Sequence, residues 1–206
     1  AAYQTPPGTF DVLAPESGDY ELLVGVFAGL VELAGYGLVV SPMFEDIAVF
    51  QRMGETTDVV RKEMYDFRDK GGRHLALRPE GTASVVRAFV QHRPVVPWKA
   101  WYVGPSFRYE HAQAGRYRQH HQLGVEALGT EDPLLDVEVI ALLWGFYGAI
   151  GLPDVHLALN SLGDDACRPA YRAELEVFLA ARAERLCDEH RMRYGENPMR
   201  VLDCKK

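Results

Sequence analysis

The stretch from Phe107 to Glu126, FRYEHAQAGRYRQHHQLGVE, concentrates side chains that could bind a charged ligand. It contains three arginines, three histidines, three glutamines and two glutamates within twenty residues. Arginine guanidinium groups bind phosphate oxygens through two parallel hydrogen bonds. Carboxylates and amides accept hydrogen bonds from amines, ring N–H groups or the amino group of adenine. These residue types therefore suit a ligand that carries both phosphate and amine groups.

Strand alternation would bring several of these side chains onto one surface. Residues 98–110 and 120–128 are predicted to be neighbouring strands, in which every second side chain shares a face. We expect this face to carry Arg108, Glu110, Gln122 and Glu126. Gly124 would leave room above the backbone of the second strand. The alternative is a solvated sheet face held by cross-strand ion pairs, which alternation alone leaves open.

A second polar cluster lies at a predicted corner between a strand and a helix. The segment LALRPEGTASVVRAFV, residues 75–90, places Glu80, Gly81 and Thr82 directly before the helical pattern. Thr82 can cap a helix over residues 82–90, and Gly81 permits close approach of the backbone. Taken alone, this is a structural helix start. Combined with the polar strand face, it favours a binding site, because sites concentrate at the ends of elements.

The elements that must position these clusters include two adjacent strands joined by a loop, with helices segregated from them, which indicates an α+β protein with an antiparallel sheet flanked by helices. Helices are predicted at residues 16–34, 47–52, 82–90, 133–150 and 165–194, the last either continuous or broken in the middle, with Ser17 and Asp132 as N-caps of the first and fourth. Short strands are predicted at residues 38–42 and 155–159. A hairpin is predicted at residues 64–68 and 74–78, around the turn DKGG, and the two long strands follow it.

Composition excludes several classes of protein. The net charge of -7 over 206 residues gives no general attraction to nucleic acid, so a phosphate-binding surface would have to be local. The apolar run over residues 22–40 contains Glu32 and the breaker GYG, so no membrane span is expected. Three cysteines argue against a disulfide framework and suit a reducing cytoplasm.

Cys187 and His190 have helical i, i+3 spacing, so a zinc site with the other two cysteines is an alternative. Structural zinc sites usually show closely paired ligands, and this sequence has no C-x-x-C. We therefore assign no protein ligand to a metal from the sequence.

The blocks of this sequence, in their order, resemble the catalytic domain of the histidyl-tRNA synthetases, which are class II aminoacyl-tRNA synthetases. GYGLVVSPMFED at residues 35–46 resembles the family's motif 1, and residues 104–128 resemble its motif 2. Further blocks that resemble the family are PPGTFDVLAPES, GETTDVVRKEMYDF, LRPEGTA, NSLGDDACRPAYR and VLDCK. The resemblance covers essentially the whole chain. It implies a single partial class II catalytic domain over residues 1–206.

The resemblance also implies an activity and its ligands. Such enzymes join histidine to ATP as an adenylate and then transfer the histidyl group to tRNA-His, with Mg²⁺ bridging the phosphates. Arg108 would hold the α-phosphate as the catalytic residue. The other ATP contacts implied are Glu110 at the adenine amino group, Arg116 at the outer phosphates and His120 stacked on adenine. Arg118 would contact the acceptor end of the tRNA.

The same resemblance implies a histidine pocket. Glu80 and Gln122 would bind the substrate ammonium group, while Glu126 would bind the imidazole side. Gly81 and Thr82 would line the same pocket. Motif 1 would form the interface of a homodimer, and a cytoplasmic location is expected for a translation enzyme.

The sequence departs from the family pattern in two ways. Glu110 is followed by His111 and Ala112 where relatives usually have Arg-Pro, and His120 replaces the usual aromatic residue. The glycine-rich motif 3, the second histidine-binding block and the anticodon-binding domain are absent from the 206 residues. We therefore expect the N-terminal half of a synthetase, truncated before motif 3, with little or no activity alone.

Two other functions compete with this interpretation. One is the synthetase-like regulatory subunit of ATP phosphoribosyltransferase, which shares the fold but would be expected to lose the ATP contacts. Arg108, Glu110 and Arg116 are all retained here, which favours the enzyme. An RNA-binding module without chemistry is less consistent with the acidic net charge and with carboxylates beside the arginines.

Overall fold

A computed structural model describes residues 3–51, 63–111, 113, 115–161 and 163–204. The chain divides into two compact units, Ala1–Val155 and His156–Lys206. The assignment of all 206 residues to one partial catalytic domain stays a prediction. Residues 54–62 of the block GETTDVVRKEMYDF lie outside the described residues, as does Ala112.

The first unit contains two small sheets. The helices and strands are, in chain order, α1 (Glu16–Leu33), β1 (Gly37–Leu38), β2 (Phe44–Asp46), α2 (Ile47–Gln51), β3 (Asp66–Arg68), β4 (His74–Leu77), α3 (Thr82–His92), β5 (Trp98–Phe107), β6 (Gln119–Leu128) and α4 (Pro133–Ala149). One sheet has the order β1-β5-β6 and the other has the order β2-β4-β3. All pairs are antiparallel except the two-residue pairing of β1 with β5. The predicted α+β architecture, both hairpins included, is confirmed.

The long β5–β6 hairpin is covered by helices on both faces. On one face α1 and α4 pack through a core of Phe27, Val31, Tyr36, Trp101 and Phe146. On the other face α3 packs through Val85 against Ala100 and Tyr102. This arrangement leaves the N-terminus of α3 above the second face of the hairpin. Among the described residues, no helix is both long and apolar enough to span a bilayer.

Two helix starts test the capping predictions. Asp132 caps α4 as predicted, since its side chain accepts a hydrogen bond from the Leu134 N–H at 3.0 Å. Ser17 does not cap α1. The helix begins at Glu16, after Pro15, and the Ser17 N–H already donates to the Leu13 carbonyl. Helical hydrogen bonding starts before Ser17, so its side chain falls inside the first turn.

The strand predicted at residues 38–42 is also shorter than expected, because pairing with β5 stops at Leu38. No strand forms at the described residues 155–159, where Leu157 and Leu159 are exposed. The helix predicted at residues 165–194 is divided into α5 (Arg168–Ala180), a 3₁₀ turn (Ala183–Arg185) and α6 (Asp188–Arg193). The break lets Leu186 and Tyr194 pack back onto α5, which a straight helix would prevent.

Candidate active site

The register of β5 and β6 places the predicted polar residues of β6 on one face. Gln122 lies opposite Gly104, Gly124 opposite Tyr102, and Glu126 opposite Ala100. Cross-strand partners and every second residue share a face, so these side chains point away from α1 and α4. The predicted alternation of β6 is confirmed.

The corner between β4 and α3 closes over this face. The Gly81 N–H donates to Gln122 Oε1 at 3.1 Å, and the Thr82 hydroxyl donates to Glu126 Oε1 at 2.6 Å. The Ser106 hydroxyl, from β5, also donates to Gln122 Oε1 at 3.3 Å. The two clusters recognised separately in the sequence therefore form one hydrogen-bonded group.

The predicted capping role of Thr82 is wrong, because the Glu80 side chain caps the first turn of α3 instead. One Glu80 oxygen accepts the Thr82 N–H at 2.6 Å and the other accepts the Ala83 N–H at 2.8 Å. These are donors that the first turn of a helix leaves unpaired, and a carboxylate is favoured there by the helix dipole. The Thr82 hydroxyl is not needed for capping, and it donates to Glu126 in β6 instead.

Tyr102 is a residue of this cluster that the sequence analysis did not identify. Its side chain is 4% exposed, and its hydroxyl hydrogen-bonds with Thr82. Burial, together with the charges of Glu126 and Glu80, raises the pKa of the Tyr102 phenol. Strand alternation could have identified it, because counting back in twos from Arg108 reaches Tyr102.

The Tyr102 ring also explains two glycines. A Cβ atom on either Gly81 or Gly124 would overlap the ring, which lies between the two backbones. The space predicted above Gly124 is therefore filled by Tyr102 and is not open to a ligand. The ring forms the floor of the polar cluster instead.

Arg108 lies just beyond the end of β5 and contacts the same corner. Its Nε donates to the Pro79 carbonyl at 2.9 Å, directly before Glu80. This bond uses one of the guanidinium N–H groups and leaves the terminal N–H groups for a ligand. Arg108 therefore borders the cluster, although β5 ends at Phe107, before the predicted boundary.

The remaining residues of the hairpin loop form a separate polar group. Glu110 Oε2 lies 3.7 Å from Arg116 Nη1, and the Arg116 side chain is 63% exposed. The Arg118 Nε donates to the Glu110 carbonyl at 3.2 Å, and its guanidinium covers the Tyr109 ring at 4.0 Å. Arg116 is thus available for a ligand, whereas Arg118 is held against the hairpin.

The adjacent histidines His120 and His121 point to opposite faces of β6. His121 contacts the ring of Tyr20 in α1, with ring centroids 5.0 Å apart. His120 lies on the polar face near Arg108 and Glu110. Burial lowers the pKa of His120, and the charge of Arg108 lowers it further. A neutral imidazole is therefore favoured at the position predicted to stack on adenine.

Cavities adjoin the cluster at Thr82 and at Glu126. Thr82 lines a mainly apolar cavity of about 510 Å³ between α2 and α3. Glu126 lines a second cavity of about 400 Å³ beside the start of α4. The Thr82–Glu126 pair is therefore bordered by open space.

Burial raises the pKa of the Glu126 carboxyl, the charge of Glu80 raises it further, and the Thr82 hydroxyl opposes both effects. The folded chain then holds this proton more tightly than the unfolded chain does. The contribution of Glu126 to stability falls as pH rises from the ordinary carboxyl range through the raised pKa.

Replacing Glu126 with glutamine should therefore stabilise the chain without ligand at pH 7, by about 1 kcal/mol. Glutamine keeps an oxygen that accepts from Thr82 but carries no charge. Urea unfolding at pH 4 and pH 7 measures the effect, which should be larger at pH 7. Glu131→Gln, in the exposed turn before α4, is the matched control and should change little. A less stable Glu126→Gln chain at pH 7 would contradict this interpretation.

Comparison with known proteins gives a consistent result. The family model described as histidyl-tRNA synthetase matches residues 8–168. The histidine–tRNA ligase of Halothermothrix orenii is 49% identical over 98% of this chain, and that of Moorella thermoacetica is 50% identical over 97%. The chain spans about half the length of these relatives, 49% and 48% respectively.

Solved structures agree. Apo histidyl-tRNA synthetase of S. aureus has a TM-score of 0.73 and 35% identity, over 97% of this chain and 48% of that one. A Bacillus halodurans protein titled an ATP phosphoribosyltransferase regulatory subunit/histidyl-tRNA synthetase has a TM-score of 0.69, over 93% of this chain and 54% of that one. At 22% identity it supports the fold alone. By its sequence match and its fold, the chain belongs to the histidyl-tRNA synthetase family.

Proposed function

We propose that this chain is the N-terminal, histidine- and ATP-binding half of a cytoplasmic histidine–tRNA ligase. The observation that carries the proposal is the convergence of the β4–α3 corner with the polar face of β6 into one cluster. The residues of that cluster are Glu80, Gly81, Thr82, Tyr102, Gln122 and Glu126. The identity to curated ligases, close to 50%, supports the same assignment.

Histidine would lie against this cluster. Glu126, partly buried beside Tyr102, would accept a hydrogen bond from the imidazole. Each carboxylate oxygen of Glu80 accepts one N–H of the α3 backbone through one lone pair. The other lone pairs can accept from the ammonium group of histidine. Buried polar groups of this kind are left unpaired when a ligand without matching donors enters. Such sites favour the matching substrate over an analogue without those groups by a factor of roughly 10⁴ or more in kcat/KM.

Gln122 supports a different role from the ammonium contact expected for it. Its Oε1 already accepts from the Gly81 N–H and the Ser106 hydroxyl, which occupies both lone pairs. Its amide N–H groups remain available, and they can only donate. We therefore assign Gln122 to an oxygen of the substrate carboxyl group or of the adenylate phosphate.

ATP would bind at the neighbouring end of the hairpin. Arg108 would hold the α-phosphate, Glu110 the adenine amino group and Arg116 the outer phosphates, with His120 against the adenine ring. Glu80 and Glu126 are assigned here to the histidine, so Mg²⁺ would be held mainly by the phosphate oxygens of ATP. When bound, it would neutralise phosphate charge.

The chemistry then requires positioning and charge stabilisation rather than a protein base. An oxygen of the histidine carboxylate attacks the α-phosphorus, and the bond from that phosphorus to the pyrophosphate oxygen breaks. The attacking group is already ionised at neutral pH. Arg108 would stabilise the charge that develops on the α-phosphate oxygens in the transition state. Holding the reactants in line supplies the remaining acceleration.

The activated histidyl group would pass to tRNA-His, and the ligase would act as a homodimer. Within residues 35–46 the apolar side chains Leu38, Val40, Met43 and Phe44 are 50–85% exposed. A partner subunit that covered them would remove this apolar surface from water. Arg118 is held on the Tyr109 ring, whereas Arg116 is largely exposed. The phosphate contact of Arg116 is therefore better supported than the tRNA contact of Arg118.

Histidine-dependent exchange of radiolabelled pyrophosphate into ATP tests the proposal. The complete ligase that contains this chain should catalyse the exchange, and the 206-residue chain alone should do so poorly or not at all. A regulatory subunit would bind histidine without exchange. Absence of exchange in the complete protein would therefore refute the ligase assignment, and exchange by the isolated chain at the rate of the complete ligase would refute the half-site assignment.

A further inference from the structure

Three potential metal ligands meet in the second unit, and none of them is among the residues assigned to histidine and ATP. Cys187, His190 and Cys204 each present a ligand atom, and all three atoms lie within 4.8 Å of one another. The Cys187 Sγ is 2.9 Å from His190 Nδ1 and 3.8 Å from Cys204 Sγ. All three residues are partly buried.

Local structure brings these residues together from two segments. Cys187 immediately precedes α6 and His190 lies in its first turn, so the two share one side of the helix. Cys204 follows the 3₁₀ helix Pro198–Asp203. The first turn of α6 therefore pairs Cys187 with His190, and the 3₁₀ helix brings Cys204 back to them.

The distance between the two sulfur atoms suits a tetrahedrally coordinated metal ion better than a disulfide. Two thiolates bound to zinc at about 2.3 Å, at a tetrahedral angle, have sulfurs about 3.8 Å apart. That is the separation between Cys187 and Cys204. A disulfide requires about 2.05 Å. Around zinc, the distance between Cys187 Sγ and His190 Nδ1 would increase to about 3.6 Å. Rotation of the His190 side chain can accommodate this change.

From this geometry we propose that Cys187, His190 and Cys204 bind one Zn²⁺ ion that stabilises the second unit. Within the part of the chain that the structure describes, no other Cys, His, Asp or Glu joins this group, and the proposed site has water as its fourth ligand. Zinc binds cysteine as the thiolate, so zinc binding should release protons.

The second unit has a physical need for such a site. Among its described residues, four buried apolar side chains form the core: Leu175, Leu179, Pro198 and Val201. Units of about this size often require a metal or disulfides, because little apolar surface can be buried. Zinc would fix the start of α6 to the end of the 3₁₀ helix that carries Val201.

Zinc content of the purified 206-residue chain, kept reduced and dialysed after loading with Zn²⁺, tests the proposal. The unaltered chain should retain one zinc per molecule by elemental analysis. Cys187→Ser and Cys204→Ser should lose nearly all of it, and His190→Asn should lose most. Cys167→Ser is the matched control in the same unit, because Cys167 is exposed and lies outside the cluster; it should retain the full content.

Two further measurements address variants that fail to fold. Co²⁺ added to the unaltered chain should give thiolate charge-transfer absorption and the intense visible bands of a tetrahedral site. A chelator should lower the melting temperature of the unaltered and Cys167→Ser chains by several degrees. An unaltered reduced chain that retains no zinc, or a Co²⁺ spectrum without thiolate absorption, would overturn the proposal.

Discussion

Replacing Arg108 with alanine should lower the rate of histidine-dependent ATP–pyrophosphate exchange in the complete ligase by about 10²–10³-fold, equivalent to about 3–4 kcal/mol in the barrier. The Arg108 Nε donates to the Pro79 carbonyl beside the cluster, which leaves the terminal N–H groups to bind the α-phosphate in the proposed site. Steady-state kinetics should show the loss mainly in kcat, because the charge on the α-phosphate develops in the transition state.

Two variants sharpen this prediction. Arg108→Lys keeps the charge but loses the planar fork and the Nε bond, so it should recover only a small part of the rate. Arg73→Ala removes an exposed arginine that pairs with Asp69 in the β3–β4 turn, and it should leave exchange unchanged. An Arg108→Ala ligase with a normal kcat would show that this side chain does not touch the reacting phosphate.

Gly124→Ala should destabilise the chain by about 1–3 kcal/mol and abolish histidine binding. The new methyl group would overlap the buried Tyr102 ring, which is also confined by Gly81 on its other side. The ring cannot move without displacing the β4–α3 corner and separating Thr82 from Glu126. Urea unfolding and calorimetric titration with histidine measure the two effects.

Gly145→Ala is the matched control for this substitution. Gly145 lies within α4, and a Cβ atom there would meet no atom within 4 Å. Alanine should therefore stabilise the helix by about 0.5–1 kcal/mol. In the Gly124→Ala background, a second change of Tyr102→Ala should cost less than it does alone, since it relieves the overlap. Independent, additive effects would mean that the glycine is not required by the ring.

Much of the fold was predictable because the signals were local. The hairpin of β5 and β6 and the cap of α4 follow from alternation and from the Asp-Pro pair at residues 132–133. The features that local signals left open or missed have tertiary causes. A continuous helix over residues 165–194 satisfies local propensity, but it would leave Leu186 and Tyr194 unable to pack on α5.

The candidate site shows the same division. Alternation and the family resemblance identified Glu80, Thr82, Gln122 and Glu126, which the structure brings together. Neither could assign their hydrogen bonds, so Thr82 was expected to cap α3 in place of Glu80. Tyr102 was missed because an aromatic residue in a strand is usually core. Its position between two glycines depends on the β4–α3 corner, which lies twenty residues earlier in the sequence.

The most direct test is to map where a ligand binds on the isolated chain. Backbone amide NMR of the 206-residue chain, titrated with a non-hydrolysable histidyl-adenylate analogue, would report this residue by residue. Shift changes should concentrate at Glu80–Ala83, Tyr102, Arg108 and Gln122–Glu126, and the Glu126→Gln chain should show much weaker changes. Saturable shifts that lie elsewhere, with these amides unmoved, would contradict the assignment of the strand face as the histidyl-adenylate site.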